Sequence, residues 1–317
     1  PTRFAPAPHV TRPDLPPELA GHPWAAPYNF LELSHEEAAW DRAAAVVLPI
    51  PYEATVSWGS GTRDGPAAIL DASRYVELYD EELDASPYEI GVCTLPAVEL
   101  SGAGPEEAVA QLRALYDDLL EAAGDRLVIG LGGEHSISSA PAMAWAERLG
   151  DELSILQLDA HSDLRAEYRG TPWNHACVMR RVLERTERIV AVGIRALTVE
   201  ERAVIRAHGI ETVFAHEMRR PGWVERALDA LAPRVYLTFD LDFFDPSIVP
   251  ATGTPEPGGP GWWDAMELLA AVFRERDVVG ADVVELAPRR GEEASAFTAA
   301  KLVYKMIGYW SASRAGD

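Results

Sequence analysis

Residues 154–163 read SILQLDAHSD. An apolar run suited to a buried strand ends in Asp159, His161 and Asp163, three metal-type ligands at alternate positions. Side chains at i, i+2 and i+4 of an extended segment share one face, so the spacing predicts that the three converge. The apolar run is then a rigid mount with ligands projecting from its open end.

The same kind of run recurs. AVVLPI (45–50), RLVIGLGG (126–133), RIVAVGI (188–194), RVYLTFDLD (234–242) and VVGADVVEL (278–286) are short, apolar and rich in β-branched residues. IGVCTL (90–95) and IETVFA (210–215) are weaker versions. Between them lie segments of helical period, two of which, 65–79 and 104–123, open with Pro at a plausible first helical position. Alternating β and α with near-continuous apolar strands predicts a three-layer αβα fold around a mainly parallel sheet of about eight strands. No repeat, low-complexity tract or internal linker interrupts it. Residues 1–40 are Pro-rich and stand apart, expected as an arm packed on the body or on a neighbouring subunit. The single α/β domain is expected over 41–317.

In open parallel sheets ligands bind beyond the carboxyl ends of the strands. Four such ends are chemically loaded: GGEHS (132–136), DAHSD (159–163), Asp240-Leu241-Asp242, and Glu285. Together they supply His135 and His161 with Asp159, Asp163, Asp240 and Asp242. Imidazole mixed with carboxylate oxygen suits Mn²⁺ or another first-row divalent ion better than a thiolate zinc site. Four carboxylates exceed the needs of one ion and suggest two, some carboxylates bridging. Without cations such a group would repel itself. A lone DxH or DxD is ordinarily a turn or a cap; three motifs at three strand ends are a site. GGEHS is no phosphate-binding P-loop, because no GxxxxGK is present.

Composition bounds the partners. A formal net charge of −22 argues against nucleic acid and suits a cationic small molecule. Cys93 and Cys177 are too far apart in sequence for a CxxC motif, and two cysteines fit a reducing cytoplasm. Neither a signal peptide nor an apolar run of about 18 residues is evident, so no membrane partner is expected. Lysine occurs only at 301 and 305, which reads as a genome-wide preference for Arg.

GGEHS, DAHSD and TFDLDFFDPSIVPATGTPEPGG (238–259) resemble the signature segments of the ureohydrolases, the arginase/agmatinase family. GTRDGPAAIL (61–70) and DVVELAP (282–288) extend the resemblance over about residues 40–312. It implies two Mn²⁺ per subunit: His135 and Asp163 on one ion, His161 and Asp242 on the other, Asp159 and Asp240 bridging. It implies that Glu285 grips a guanidinium and that His175, in WNHACVMRR (173–181), lies beside the leaving amine. Glu134, where Asp is more usual, and Ala287, where Asn commonly follows the glutamate, depart from the pattern and bear on substrate, not metal. A trimer or a hexamer is the family's implied homo-oligomer.

The expected reaction is hydrolysis of a cationic guanidino substrate to urea and an amine. Asp163 is expected to carry the proton to the leaving nitrogen, and His175 to shuttle it. Cys177, two residues beyond His175, lacks an oxyanion motif and is not expected to be a nucleophile. Residues 164–181 look agmatinase-like and lack the Asn-rich stretch by which arginases hold an α-carboxylate. Agmatine or aminopropylagmatine is therefore the first choice. Guanidinobutyrate and formimidoylglutamate stay open because Arg165, Arg169, Arg180 and Arg181 could hold a carboxylate. A non-catalytic polyamine-binding relative and a one-metal amide deacetylase are disfavoured by the complete ligand set.

Overall fold

The computed structural model describes residues 27–315. Eight strands, β1 (Ala45–Ile50), β2 (Val92–Thr94), β3 (Leu127–Gly132), β4 (Leu153–Leu158), β5 (Ile189–Ile194), β6 (Glu211–Phe214), β7 (Arg234–Asp240) and β8 (Asp277–Val284), form one sheet. Its order is β2-β1-β3-β8-β7-β4-β5-β6, and every pairing is parallel. The expected αβα sandwich is borne out, including the two weaker strands.

Every residue of β1, β3, β4 and β5 is buried, which requires cover on both faces. The cover comes from α1 (Gly65–Ser73), α2 (Pro105–Ala123), α3 (Ser139–Leu149), α4 (Val178–Val182), α5 (Val199–His208), α6 (Trp223–Ala230), α7 (Trp262–Glu275) and α8 (Ala294–Arg314). Strand alternation divides the core. Ala45 and Val47 join Ile69, Leu269 and Val303 on the face of α1, α7 and α8. Val46, Leu48 and Ile50 join Leu112 and Ala140 on the face of α2 and α3. Prolines 66 and 105 open α1 and α2, where a missing N–H is tolerated. The tryptophan pair opening α7 divides: Trp262 stacks on Phe244, while Trp263 stands exposed.

Of the Pro-rich arm, residues 1–26 lie outside the described residues. Its described end is built into the body, with Phe30, Leu31 and Leu33 in the core and the Leu31 amide donating to Ser73 Oγ. Among the described residues no helix is long and apolar enough to cross a membrane.

Sheet order positions the site. The four strands that carry the ligand motifs, β3, β8, β7 and β4, are consecutive neighbours. Their register pairs Leu131 with Val283, Val284 with Asp240, and Leu158 with Phe239. The residues that follow therefore leave the sheet at one level, on strands about 4.8 Å apart.

Candidate metal centre and active site

Beyond β3 the chain turns at Gly133, where a Cβ would lie 2.0 Å from the Tyr52 carbonyl oxygen, so only glycine fits. The Glu134 amide donates to that same oxygen. The His135 amide donates to Glu285 Oε1 at 2.6 Å, and the Glu285 amide donates to the Gly133 carbonyl. The ends of β3 and β8 are thus clipped together. Glu285 holds this place with φ +67, in the left-handed region.

His135 Nε2 meets Thr238 Oγ1 at 2.9 Å, and Thr238 donates to the buried Asp282. That fixes the ring and aims Nδ1 at three carboxylates: Asp163 at 2.9 Å, Asp159 at 3.2 Å and Asp240 at 3.4 Å. Nδ1 is buried, yet none of these contacts has hydrogen-bond geometry. Across the site His161 Nδ1 lies 3.0 Å from Asp242 and 3.6 Å from Asp159. Two ligand clusters result, His135–Asp159–Asp240 and Asp159–His161–Asp242. They share Asp159, whose Oδ2 faces His135 and whose Oδ1 faces His161.

The six expected ligands come together, but not by strand alternation. β4 ends at Leu158; Asp163 turns back with φ +50, and Asp242 sits in a 3-10 turn, its amide on Asp240 Oδ1. The loop is shaped from outside: Glu201 Oε1 accepts from both Ser162 Oγ and the Leu164 amide. Asp242 Oδ1 accepts from the Ala160 amide.

The charges do not balance. Burial, and then the charge of Asp159, push Asp163 up to about 7. Burial with Asp242 and Asp159 raises Asp240 well above the carboxylate range. Burial would lower His161, but Asp242 and Asp159 outweigh it and drive the ring up to about 12. Likewise Asp159 and Asp163 raise His135 well above its ordinary value against burial. Only protons neutralise this set. Its donors are oxygen and imidazole, and the buried Nδ1 lone pair converges with carboxylates, so the residues fit one or two divalent cations.

His175 does not begin a long helix. It lies in a 3-10 turn, His175–Cys177, capped by the Asn174 side chain, and α4 spans only Val178–Val182. Its amide donates to Thr55 Oγ1 at 3.0 Å, and its Nδ1 is 3.2 Å from the same oxygen. The Thr55 hydroxyl donates to Glu134, a far better acceptor, so the Nδ1 contact assigns the proton to Nδ1 and leaves Nε2 a free base. Burial, then His135 and His161, lower His175 to about 4. Glu134 is fully buried outside the cavity lining and also accepts from the Ala54 and Thr55 amides. Ala287 is buried, its amide on the Ala251 carbonyl. Cys177 is buried and burial pushes its thiol up to about 11, which removes it as a nucleophile.

His135, His161, Asp163, Asp240, His175 and Glu285 face one cavity of about 300 Å³. Burial raises Glu285 to about 8, with Glu134 nearby adding to the rise. Thr55, Thr238, Glu201 and Glu256 take part without having been singled out from the sequence. Thr238 and Glu256 lie inside the quoted 238–259 segment, and Glu201 belongs to the Thr198–Glu201 capping box that opens α5, a signal that does not foretell its grip on the 162–164 loop.

A parallel αβα sandwich with a double His/Asp cluster at its central strand ends defines a class, the metal-dependent hydrolases of the α/β type. Within it, residues 43–308 match the arginase family, and the chain belongs to that family. It is 40% identical over 295 residues to an N(1)-aminopropylagmatine ureohydrolase of Synechocystis sp., covering 92% of this chain and 96% of that protein. An agmatinase of Pyrococcus horikoshii is 34% identical, over 83% of this chain and 90% of its own length. The agmatine ureohydrolase structure of Thermoplasma volcanium superposes with TM-score 0.81 at 28% identity, covering 92% and 96% of the two chains. The agmatinase-like ureohydrolase resemblance of the motifs is borne out.

Proposed function

We propose that the protein is a binuclear manganese enzyme that hydrolyses the guanidino group of agmatine, or of aminopropylagmatine, to urea and putrescine or spermidine. The observation that carries this reading is Asp159: one buried carboxylate turns an oxygen to each of two His/Asp clusters, as a bridge between two ions would. His135 and Asp163 would hold the first ion, His161 and Asp242 the second, Asp159 and Asp240 both. When bound, two divalent ions lower the pKa of a shared water from about 15.7 towards neutrality.

The chain's own residues do the rest. Glu285 spends Oε1 on the His135 amide and leaves Oε2 for the planar guanidinium, whose charge would keep this buried carboxyl ionised. Asp163 takes a proton from the attacking water and hands it to the leaving nitrogen. His175, neutral and with Nε2 free, shuttles further protons between that region and solvent. Relatives named for agmatine and aminopropylagmatine support the polyamine reading. One observation favours a second reading: Arg165 lines the cavity and could hold the carboxylate of guanidinobutyrate or formimidoylglutamate. A cytoplasmic homo-oligomer, trimer or hexamer, with the arm at 1–40 and the domain at 41–317, completes the proposal. Two free, buried cysteines fit its location.

The test is urea release after preincubation with Mn²⁺, across agmatine, aminopropylagmatine, guanidinobutyrate and arginine, with an EDTA control and metal analysis. Metal-dependent urea from one substrate at two ions per chain is expected. The Glu285→Gln variant should keep both ions and lose turnover; unchanged turnover would remove Glu285 from the guanidinium site. Two bound ions with no urea from any guanidine would redirect the reading to formimidoyl or amide hydrolysis.

A further inference from the structure

Glu256 lies between Pro255 and Pro257 in the loop joining β7 to α7, on the wall of the active-site cavity. Its backbone is held hard. Its carbonyl accepts from Arg195 Nε at 3.2 Å and Nη2 at 2.9 Å. The same guanidinium bonds the carbonyls of Asp242 and Phe243. The flanking prolines fix φ on either side. Farther along, Asp245 Oδ2 accepts from the Gly258 and Gly259 amides. The backbone that carries this carboxylate is therefore fixed at the cavity wall.

The cavity's other carboxylates are engaged. Asp163 and Asp240 belong to the ligand clusters, and Glu285 is tied to His135. Glu201 has Oε1 on Ser162 and Leu164 and Oε2 on the Thr198 amide. Glu256 has, among the described residues, no Lys or Arg within ion-pair distance. Its nearest charged-type neighbour is His161 Nε2 at 4.0 Å, too long for a hydrogen bond. Its side chain is 41% exposed, so it reaches the cavity mouth. Glu285 contacts His135 and Glu256 approaches His161, so the two carboxylates flank the cluster from its two ends.

We infer that Glu256 is the specificity-determining anchor for a second cationic group, the ammonium at the far end of the guanidino substrate. The inference rests on the guanidino reading proposed above. A guanidinium at Glu285 leaves an alkyl-linked ammonium free to seek a carboxylate near the mouth, and Glu256 is the one available. Arg165 on the same cavity is turned onto the Tyr168 ring, 4.7 Å from its centroid, which partly occupies its charge.

The experiment compares full-length, Mn²⁺-loaded wild type with Glu256→Gln and Glu256→Asp on three guanidines of similar length. Agmatine has an ammonium tail, butylguanidine a neutral tail and guanidinobutyrate a carboxylate tail. In Glu256→Gln the ratio of kcat/KM for agmatine over butylguanidine should fall about tenfold, mainly through KM, as expected for loss of one charge-assisted contact. The ratio for guanidinobutyrate over butylguanidine should rise, Glu256→Asp should restore part of the first ratio, and two ions should remain bound. Unchanged ratios would overturn the inference. So would equal losses on all three with falling metal content, which would make Glu256 an outer support for His161. If wild type releases urea from none of them and none from aminopropylagmatine, the guanidino reading fails separately. Calorimetry of putrescine against butylamine then decides: weaker putrescine binding in Glu256→Gln sustains the anchor, and equal binding overturns it.

Discussion

Two acidic clusters in this chain, each built on a buried aspartate, have opposite electrostatics. Near α8, Asp80 is buried beside Lys305 Nζ at 2.9 Å, with Lys301 Nζ at 3.9 Å. Glu82 accepts from Lys305 at 2.6 Å and from Tyr309 at 2.9 Å. Burial alone would raise Asp80, but Lys305, the Leu83 amide and Lys301 pull it below its ordinary value. At the strand ends four buried or nearly buried carboxylates face two imidazoles with no Lys or Arg ion pair among the described residues. Arg195, which stands close by, spends itself on backbone carbonyls. The two lysines of the chain, which composition alone attributed to a preference for Arg, both lie at the first cluster. A buried carboxylate with its own cation is structural; a group left short of cations is a place for foreign ones.

Removing one carboxylate from each cluster tests this contrast, and the largest effect falls at the strand ends. Asp240→Asn should bind fewer than two ions and lose more than about a thousandfold in urea release, because the shared water needs both. In EDTA the same variant should melt higher than wild type, since one of several repelling carboxyls is gone. A lower melting temperature of the metal-free variant would break the contrast.

Asp80→Asn should act in reverse. Leaving Lys305 partly unpaired should cost about 3 kcal/mol, at the low end for a broken buried pair because Glu82 remains. The loss should appear in chemical denaturation with or without Mn²⁺, two ions still bound. The sign with pH follows from a folded-state pKa below the unfolded one. The Asp80 contribution is complete above the unfolded value of about 3.9 and disappears as pH falls through the folded value. The stability gap between wild type and variant should therefore shrink in acid; a gap that widens would refute the ion pair.

The smallest effect sharpens the picture at its edge. Thr55→Val cuts the link from Glu134 to His175 and should lower kcat about tenfold near neutral pH, with KM and metal content kept and Thr55→Ser close to wild type. Identical pH profiles for Thr55→Val and wild type would show that Thr55 does not set the His175 tautomer.

The structure brings the six residues singled out from the sequence close together, but not in the way that their spacing suggested. The apolar runs announced the strands because cover on both faces demands continuous apolarity. His135, Asp159, His161, Asp163, Asp240 and Asp242 were legible because each follows such a run. Alternation was the wrong reason for their convergence: Asp163 arrives through a left-handed turn and Asp242 through a 3-10 turn. Glu134, a departure from the family pattern expected to bear on substrate, is buried and holds Thr55 and, through it, His175.

By itself the sequence determined a parallel α/β chain and singled out two histidines and four aspartates at its strand ends, because periodicity and residue chemistry are local properties. Tertiary structure alone decided that β3, β8, β7 and β4 lie side by side, that Thr55 links Glu134 to His175, and that Lys305 neutralises Asp80 from 225 residues away. Such pairings depend on strand order and on loop dihedrals, which spacing along a chain does not encode.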